Sequence, residues 1–126
     1  MPRAIAGARV AVLGASTNEE RYSFKAVKML KEHGFEPIPV HPAGHVVDGL
    51  RAVKSLDDIE GEVDTLTMYV GEKISSQQLD EILKLNPRRV IFNPGAENKE
   101  LAEKLREHGI EVVEACTLVM LRTEQF

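Results

Sequence analysis

The residues equipped to meet a charged ligand fall in four short stretches. The first is Gly14-Ala15-Ser16-Thr17, which closes the apolar run Val10-Ala11-Val12-Leu13. Arg21, Ser23 and Lys25 follow at the start of an amphipathic segment. Glycine lets backbone approach an anion closely, and the Ser16, Thr17 and Ser23 hydroxyls are donors. Arg21 and Lys25 add positive charge. A helix start also presents unpaired N–H groups and the positive end of a dipole, so the chemistry implied is phosphate binding. Only one glycine of a G-x-G-x-x-G pattern is present, so the turn alone does not specify a dinucleotide.

The other stretches are His41-Pro42, Tyr69-Val70 and Asn93-Pro94-Gly95, each closing a β-like run. An NAD site usually places an acid after the second strand for the ribose hydroxyls. Here that position reads Val40-His41-Pro42, which counts against NAD. A phosphorylated ribose, met by His41 or a nearby cation, suits this edge better. Catalytic groupings are missing: no serine sits in G-x-S-x-G and no H-E-x-x-H occurs. The single cysteine, Cys116, reads either as a small buried hydrophobe or as a thiol able to form a mixed disulfide with a ligand thiol. His33 and His108 each precede a glycine at a helix end, where they offset the dipole.

The elements that must position these stretches alternate between β and α. Strands are expected at Arg9–Leu13, Phe35–Val40, Val63–Val70, Arg89–Phe92 and Ile110–Val113. Pro37 and Pro39 remove ladder donors on one side of the second, which predicts irregular pairing there. Helices are expected from about Ser23 to His33, from Ile74 to Asn86, and after Asn98, which has the right place to cap a helix carrying Leu101, Ala102 and Leu105. Ser75 and Gln78 have capping-box spacing, and Ile74 with Leu79 that of a hydrophobic staple. Val46-Val47 and Arg51-Ala52-Val53 flank the turn pair Asp48-Gly49, and Ser55–Ile59 suits one helical turn. Leu30-Lys31-Glu32-His33-Gly34-Phe35-Glu36 is echoed by Leu105-Arg106-Glu107-His108-Gly109-Ile110-Glu111, the same helix-to-strand solution used twice. The expected fold is α/β: a doubly wound, mostly parallel sheet of five to six strands in an αβα sandwich. In such a sheet the four stretches gather at the carboxyl ends of the strands.

The chain has 126 residues and a formal charge of −4, which predicts one domain over 1–126 with no global field for nucleic acid. No apolar run reaches membrane-spanning length, no signal peptide is evident, and one thiol suits a reducing cytoplasm. No metal site is expected.

Together, Val12-Leu13-Gly14-Ala15-Ser16, Ser23-Phe24-Lys25, Ile38-Pro39-Val40-His41-Pro42, Asn93-Pro94-Gly95-Ala96-Glu97-Asn98 and Val113-Glu114-Ala115-Cys116 resemble the small stand-alone CoA-binding proteins. That family is similar to the CoA-binding domain of the succinyl-CoA synthetase α subunit. The resemblance implies a Rossmann-like fold and coenzyme A, free or acylated, as ligand. It implies that Gly14, Ala15, Ser16, Ser23 and Lys25 surround the CoA phosphates. His41 and Pro42 would lie by the adenosine 3′-phosphate, Tyr69 and Val70 by the adenine or its ribose, and Asn93, Pro94 and Gly95 by the pantetheine arm. His41 departs from the family, where asparagine is common. The ligase's phosphorylated-histidine domain has no counterpart, so the resemblance implies binding without catalysis. The competing expectations are a small NAD(P)-linked or acyl-CoA-handling enzyme using Cys116 or His41, and a regulatory module whose partner reads the CoA-bound state.

Overall fold

A computed structural model describes residues 3–126. Apolar runs form five parallel strands: β1 (Arg9–Leu13), β2 (Glu36–Val40), β5 (Thr65–Met68), β6 (Arg89–Phe92) and β7 (Glu111–Glu114). Their order is β2-β1-β5-β6-β7, so the winding reverses beside β1. β3 (Val46–Val47) and β4 (Leu50–Arg51) form a separate antiparallel hairpin. Asp48 and Gly49 turn it with φ of 47° and 83°, as a two-residue hairpin turn with both φ positive requires. A 3₁₀ turn at Leu56–Asp58 occupies the predicted helical turn.

Helices cover both faces. α3 (Leu79–Leu85) and α4 (Lys99–Glu107) place Ile82, Leu101, Ala102 and Leu105 against Ala11, Leu13, Leu66, Met68, Val90 and Phe92. α1 (Tyr22–Glu32) and α5 (Thr117–Arg122) place Phe24, Val27, Leu30 and Leu121 against Val10, Val12 and Ile91, joined by Phe126. The second face also carries buried polar groups. Arg89, 1% exposed, donates from Nε to Thr65 Oγ1 at 3.1 Å, and its guanidinium lies 4.5 Å from the Phe126 ring centroid. A charged group so buried survives only with such partners.

Pro37 and Pro39 sit on β2, an edge strand. Glu36 N–H donates inward to Ala8 O at 3.0 Å, and alternation turns both proline nitrogens outward. Outside, among the described residues, β2 has the short bridge between Val40 and Val53. His33 and His108 Nδ1 each bond the carbonyl four residues back, Met29 and Lys104, at 2.9 Å.

Two expectations are corrected. The Ser75–Gln78 capping box does not form, because a short helix, α2 (Glu72–Ser75), starts earlier and buries Ser75. Asn98 Nδ2 donates to the Ser75 hydroxyl at 2.8 Å, and Ile74 is 51% exposed. α5 was not anticipated: Thr117-Leu118-Val119-Met120-Leu121 has no local cap, and its cap comes from a distant strand end, described below.

At the opposite end of the sheet, Asp64 accepts from Arg88 Nε at 2.8 Å and Nη2 at 3.1 Å, and from Thr65 Oγ1 at 2.7 Å. Burial opposes ionisation of Asp64, but the Arg88 and Thr65 hydrogen bonds outweigh it and hold the carboxyl below its ordinary value. A depressed carboxyl adds stability that is present above its unfolded pKa and lost as pH falls through the folded one. Asp64→Asn should therefore lower stability near neutral pH and narrow the gap between about pH 7 and about pH 3, measured by urea unfolding at both.

Candidate functional site

The site is built where three strand ends meet. Gly14 follows β1 with φ of 89°, in the left-handed region where side chains are strained. A Cβ placed on it would come within 2.9 Å of the Tyr69 carbonyl oxygen and of Val70 Cγ1. Only glycine lets the chain leaving β1 pass this close to the chain leaving β5. Gly14 and Ala15 N–H both donate to Val40 O, at 3.0 and 3.3 Å, and Tyr69 N–H donates to Leu13 O at 2.9 Å. The ends of β2, β1 and β5 are thereby tied together at the reversal in strand order, where open α/β sheets bind ligands.

Beyond Gly14 the chain forms a polar loop held by its own side chains. Ser16 N–H donates to the Ser23 hydroxyl at 3.1 Å, Asn18 N–H to Ser16 Oγ at 3.0 Å, and Glu20 N–H to Asn18 Oδ1 at 3.0 Å. α1 then begins without a side-chain cap and without an acid in its first turn. The N–H groups of Tyr22, Ser23 and Phe24 have no partner among the described residues. α4 differs: Asn98 accepts from Leu101 N–H at 3.1 Å, as its position predicts. An uncapped start on an eleven-residue helix leaves its partial positive charge to an external anion.

That start opens into a cleft of about 500 Å³ lined by Gly14, Ser16, Thr17, Glu20, Arg21, Tyr22, Ser23, His41, His45 and Tyr69. An adjoining cleft of about 590 Å³ shares Gly14, His41 and Tyr69 and adds Pro42, Val70 and Lys54 among others. Of the predicted residues, Gly14, Ser16, Thr17, Arg21, Ser23, His41, Pro42, Tyr69 and Val70 line one or both. Ala15 is fully buried beneath the turn and lines neither cleft, its N–H donating to Val40 O and its carbonyl 3.0 Å from His45 Nε2. Lys25 lies one turn along α1, its Nζ 5.7 Å from the Tyr22 ring centroid, and lines neither cleft.

Asn93, Pro94 and Gly95 also line neither cleft. Asn93, 2% exposed, donates from Nδ2 to Thr67 Oγ1 at 2.6 Å and Met68 O at 2.9 Å, and accepts from Thr117 N–H at 2.9 Å. It is the remote cap of α5 and fastens that helix to the ends of β5 and β6. Pro94 and Gly95 form the exposed turn that follows, closed by Ala96 N–H to Asn93 O at 2.8 Å. Cys116 is half-buried at the start of α5.

Sequence reasoning missed His45, Glu20 and Tyr22. The signal for His45 was the short spacing in His41-Pro42-Ala43-Gly44-His45, whose turn folds the second ring onto the first. The centroids are 4.3 Å apart with planes at 27°. Burial, and then the charge of His45, lower the His41 imidazole from its ordinary value. Burial pushes the Tyr69 phenol well above its ordinary range, and its hydroxyl lies near Thr117 and Thr67 without a hydrogen bond of acceptable geometry. Among the described residues no cluster of His, Cys, Asp and Glu has metal-binding geometry, and no helix is long and apolar enough to cross a membrane.

A five-stranded parallel sheet flanked by helices, with its cleft at the strand-order reversal, defines a Rossmann-like α/β protein. More narrowly, the chain belongs to the CoA binding domain family, whose model matches residues 8–122. A crystal structure of an uncharacterized protein is 44% identical, covers 97% of this chain and 100% of that one, and superposes with a TM-score of 0.90. The uncharacterized protein YneT of Bacillus subtilis is 30% identical over 105 residues, 83% of this chain and 78% of YneT. The α subunit of acetate–CoA ligase (ADP-forming) II of Pyrococcus furiosus is 30% identical over 115 residues, 82% of this chain, which spans only 25% of that subunit.

Two substitutions separate the roles of these positions. Gly14→Ala should destabilise the fold by about 1–3 kcal/mol, because it combines a disfavoured φ with a backbone clash. Asn93→Ala should cost about 2–3 kcal/mol by leaving buried donors and acceptors unpaired. Chemical denaturation checks both, and a loss under about 0.5 kcal/mol would remove either residue from the framework.

Proposed function

We propose that this protein binds coenzyme A, free or acylated, and performs no covalent chemistry on it. The observation that carries the reading is the uncapped, acid-free start of α1 opening into the cleft at the strand-order reversal. CoA carries a pyrophosphate and a ribose 3′-phosphate, and a helix start of this kind favours such anions. The free N–H groups of Tyr22, Ser23 and Phe24, with Ser16 and Thr17, meet the pyrophosphate, and Arg21 supplies the nearest full positive charge. Ala15, buried with its N–H and carbonyl already engaged, supports the loop from beneath, and Lys25 acts from outside the cleft as a diffuse cation. His41 and Pro42 take the 3′-phosphate end, and Tyr69 and Val70 the adenosine.

Asn93 acts indirectly in this reading. Its side chain is committed to Thr67, Met68 and Thr117, so it shapes the bed for the pantetheine arm while the Pro94-Gly95 turn meets it. The cleft residues include hydroxyls and imidazoles but no nucleophile hydrogen-bonded to a base, which favours holding over transformation. A reducing cytoplasm suits the single free thiol.

Calorimetry with CoA, dephospho-CoA, NAD and NADP tests the reading. CoA should bind tightest, dephospho-CoA several-fold more weakly, and NAD weakest. Arg21→Ala should weaken CoA binding about five- to tenfold, on the order of 1 kcal/mol, and Lys25→Ala less. NAD binding as tightly as CoA would overturn the proposal.

A further inference from the structure

His41 and His45 are stacked against one another in the same cleft as the start of α1, and each ring has one nitrogen fixed by backbone. Ala43 N–H donates to His41 Nδ1 at 3.0 Å. An N–H can only donate, so His41 Nδ1 carries no proton and its Nε2 does. His45 Nε2 lies 3.0 Å from Ala15 O. A carbonyl can only accept, so the proton of neutral His45 sits on Nε2 and leaves Nδ1 bare. The other nitrogens, His41 Nε2 and His45 Nδ1, have no hydrogen-bond partner among the described residues.

The two rings are therefore not equivalent. Protonating His41 would break the bond from Ala43. Protonating His45 on Nδ1 leaves both backbone bonds intact and gives the ring a second donor. The same His45 bond ties the pair to Ala15, in the turn that precedes the polar loop, so ring and helix start are held as one unit.

We propose that His41 and His45 form a proton-linked phosphate reader: a ligand phosphate accepts from His41 Nε2–H and from a newly protonated His45 Nδ1, so that binding takes up a proton from solvent and release returns it. This rests on the CoA reading, and it adds His45 to the site and a pH dependence to its affinity. Glu20 and Arg21 from the loop, Tyr22 from α1 and Tyr69 after β5 line the same cleft. Lys54 and Glu81 line the adjoining one with His41, and Arg51 donates to Gly44 O at 3.0 Å. The formal charges of Glu20 and Arg21 in one cleft, and of Lys54 and Glu81 in the other, cancel in sum, so the incoming phosphate is the new charge that moves the equilibrium. A phosphate raises the pKa of the ring it pairs with, so the added affinity is full at low pH and is lost as pH rises through the bound-state value.

The phosphate is either the 3′-monoester or the pyrophosphate, and CoA compared with dephospho-CoA separates them: uptake lost with dephospho-CoA assigns the monoester, uptake retained assigns the pyrophosphate, and either supports the pair as reader. Calorimetry near neutral pH in buffers of low and high ionisation enthalpy counts the protons. His45→Gln keeps a donor for Ala15 O, and His41→Asn keeps an acceptor for Ala43 N–H; neither titrates in this range. The wild-type protein should take up a fraction of a proton beyond that owed to the CoA phosphate itself. Its affinity should fall about tenfold between about pH 6 and about pH 8. His45→Gln should abolish the excess uptake and flatten that slope. CoA binding with no excess uptake would overturn the reader and leave the CoA reading standing, whereas no CoA binding at all would overturn both. Long-range ¹H–¹⁵N spectra of the free wild-type protein should show His41 protonated at Nε2 alone, and a proton on its Nδ1 would overturn the proposal without any variant.

Discussion

The close passage of two chains at Gly14 is the constraint from which the rest of the site follows. A side chain there would meet the Tyr69 carbonyl, and the ends of β1 and β5 would have to separate. Because they do not, the Val40 carbonyl reaches two consecutive N–H groups and β2 is drawn into the same corner. The polar loop that follows has one short route to α1, and the helix starts facing the cleft. Nothing in this arrangement needs a long glycine-rich motif. One glycine, three strand ends and a loop knotted by Ser16, Asn18 and Ser23 aim a helix.

The two faces of the sheet do different work. The face under α3 and α4 is almost wholly aliphatic and aromatic, and it supplies most of the apolar burial. The face under α1 and α5 carries Thr65, Thr67, Arg89 and Asn93, each buried and each tied by hydrogen bonds across strands. Such networks are directional, so they hold strand ends and α5 in register more tightly than packing alone would. The side of the protein nearest the cleft is thus the side organised by geometry, and the opposite side is organised by area.

How much of this was legible depended on whether the partner was near in sequence. β1, β6, the Asp48-Gly49 hairpin turn and the Asn98 cap were readable because each signal lies within a few residues of its effect. The outward-facing prolines of β2 were equally readable, since backbone without N–H has few places to go. α5 was not, because the group that caps it, Asn93, lies just past the end of β6, 24 residues earlier in the chain. The resemblance assigns the same residue to the pantetheine arm, and nothing local in the sequence shows that its side chain is committed to Thr67, Met68 and Thr117. The capping-box reading of Ser75 failed for the converse reason: the local pattern was present, but Asn98 claimed the serine. His45 needed the turn at Gly44 before its ring met His41. The cleft was foreseeable as a place, through the strand ends, and less so as an inventory.

The prolines of β2 have a consequence for how copies of this chain meet. Exposed strand edges are templates for sheet extension, and the register between molecules is written in alternating donors and acceptors. On the outer side of β2 the donors at Pro37 and Pro39 are missing, and Val53 occupies the carbonyl of Pro39. An incoming strand finds acceptors without their complement, so that margin resists templated aggregation while the cleft beside it stays open.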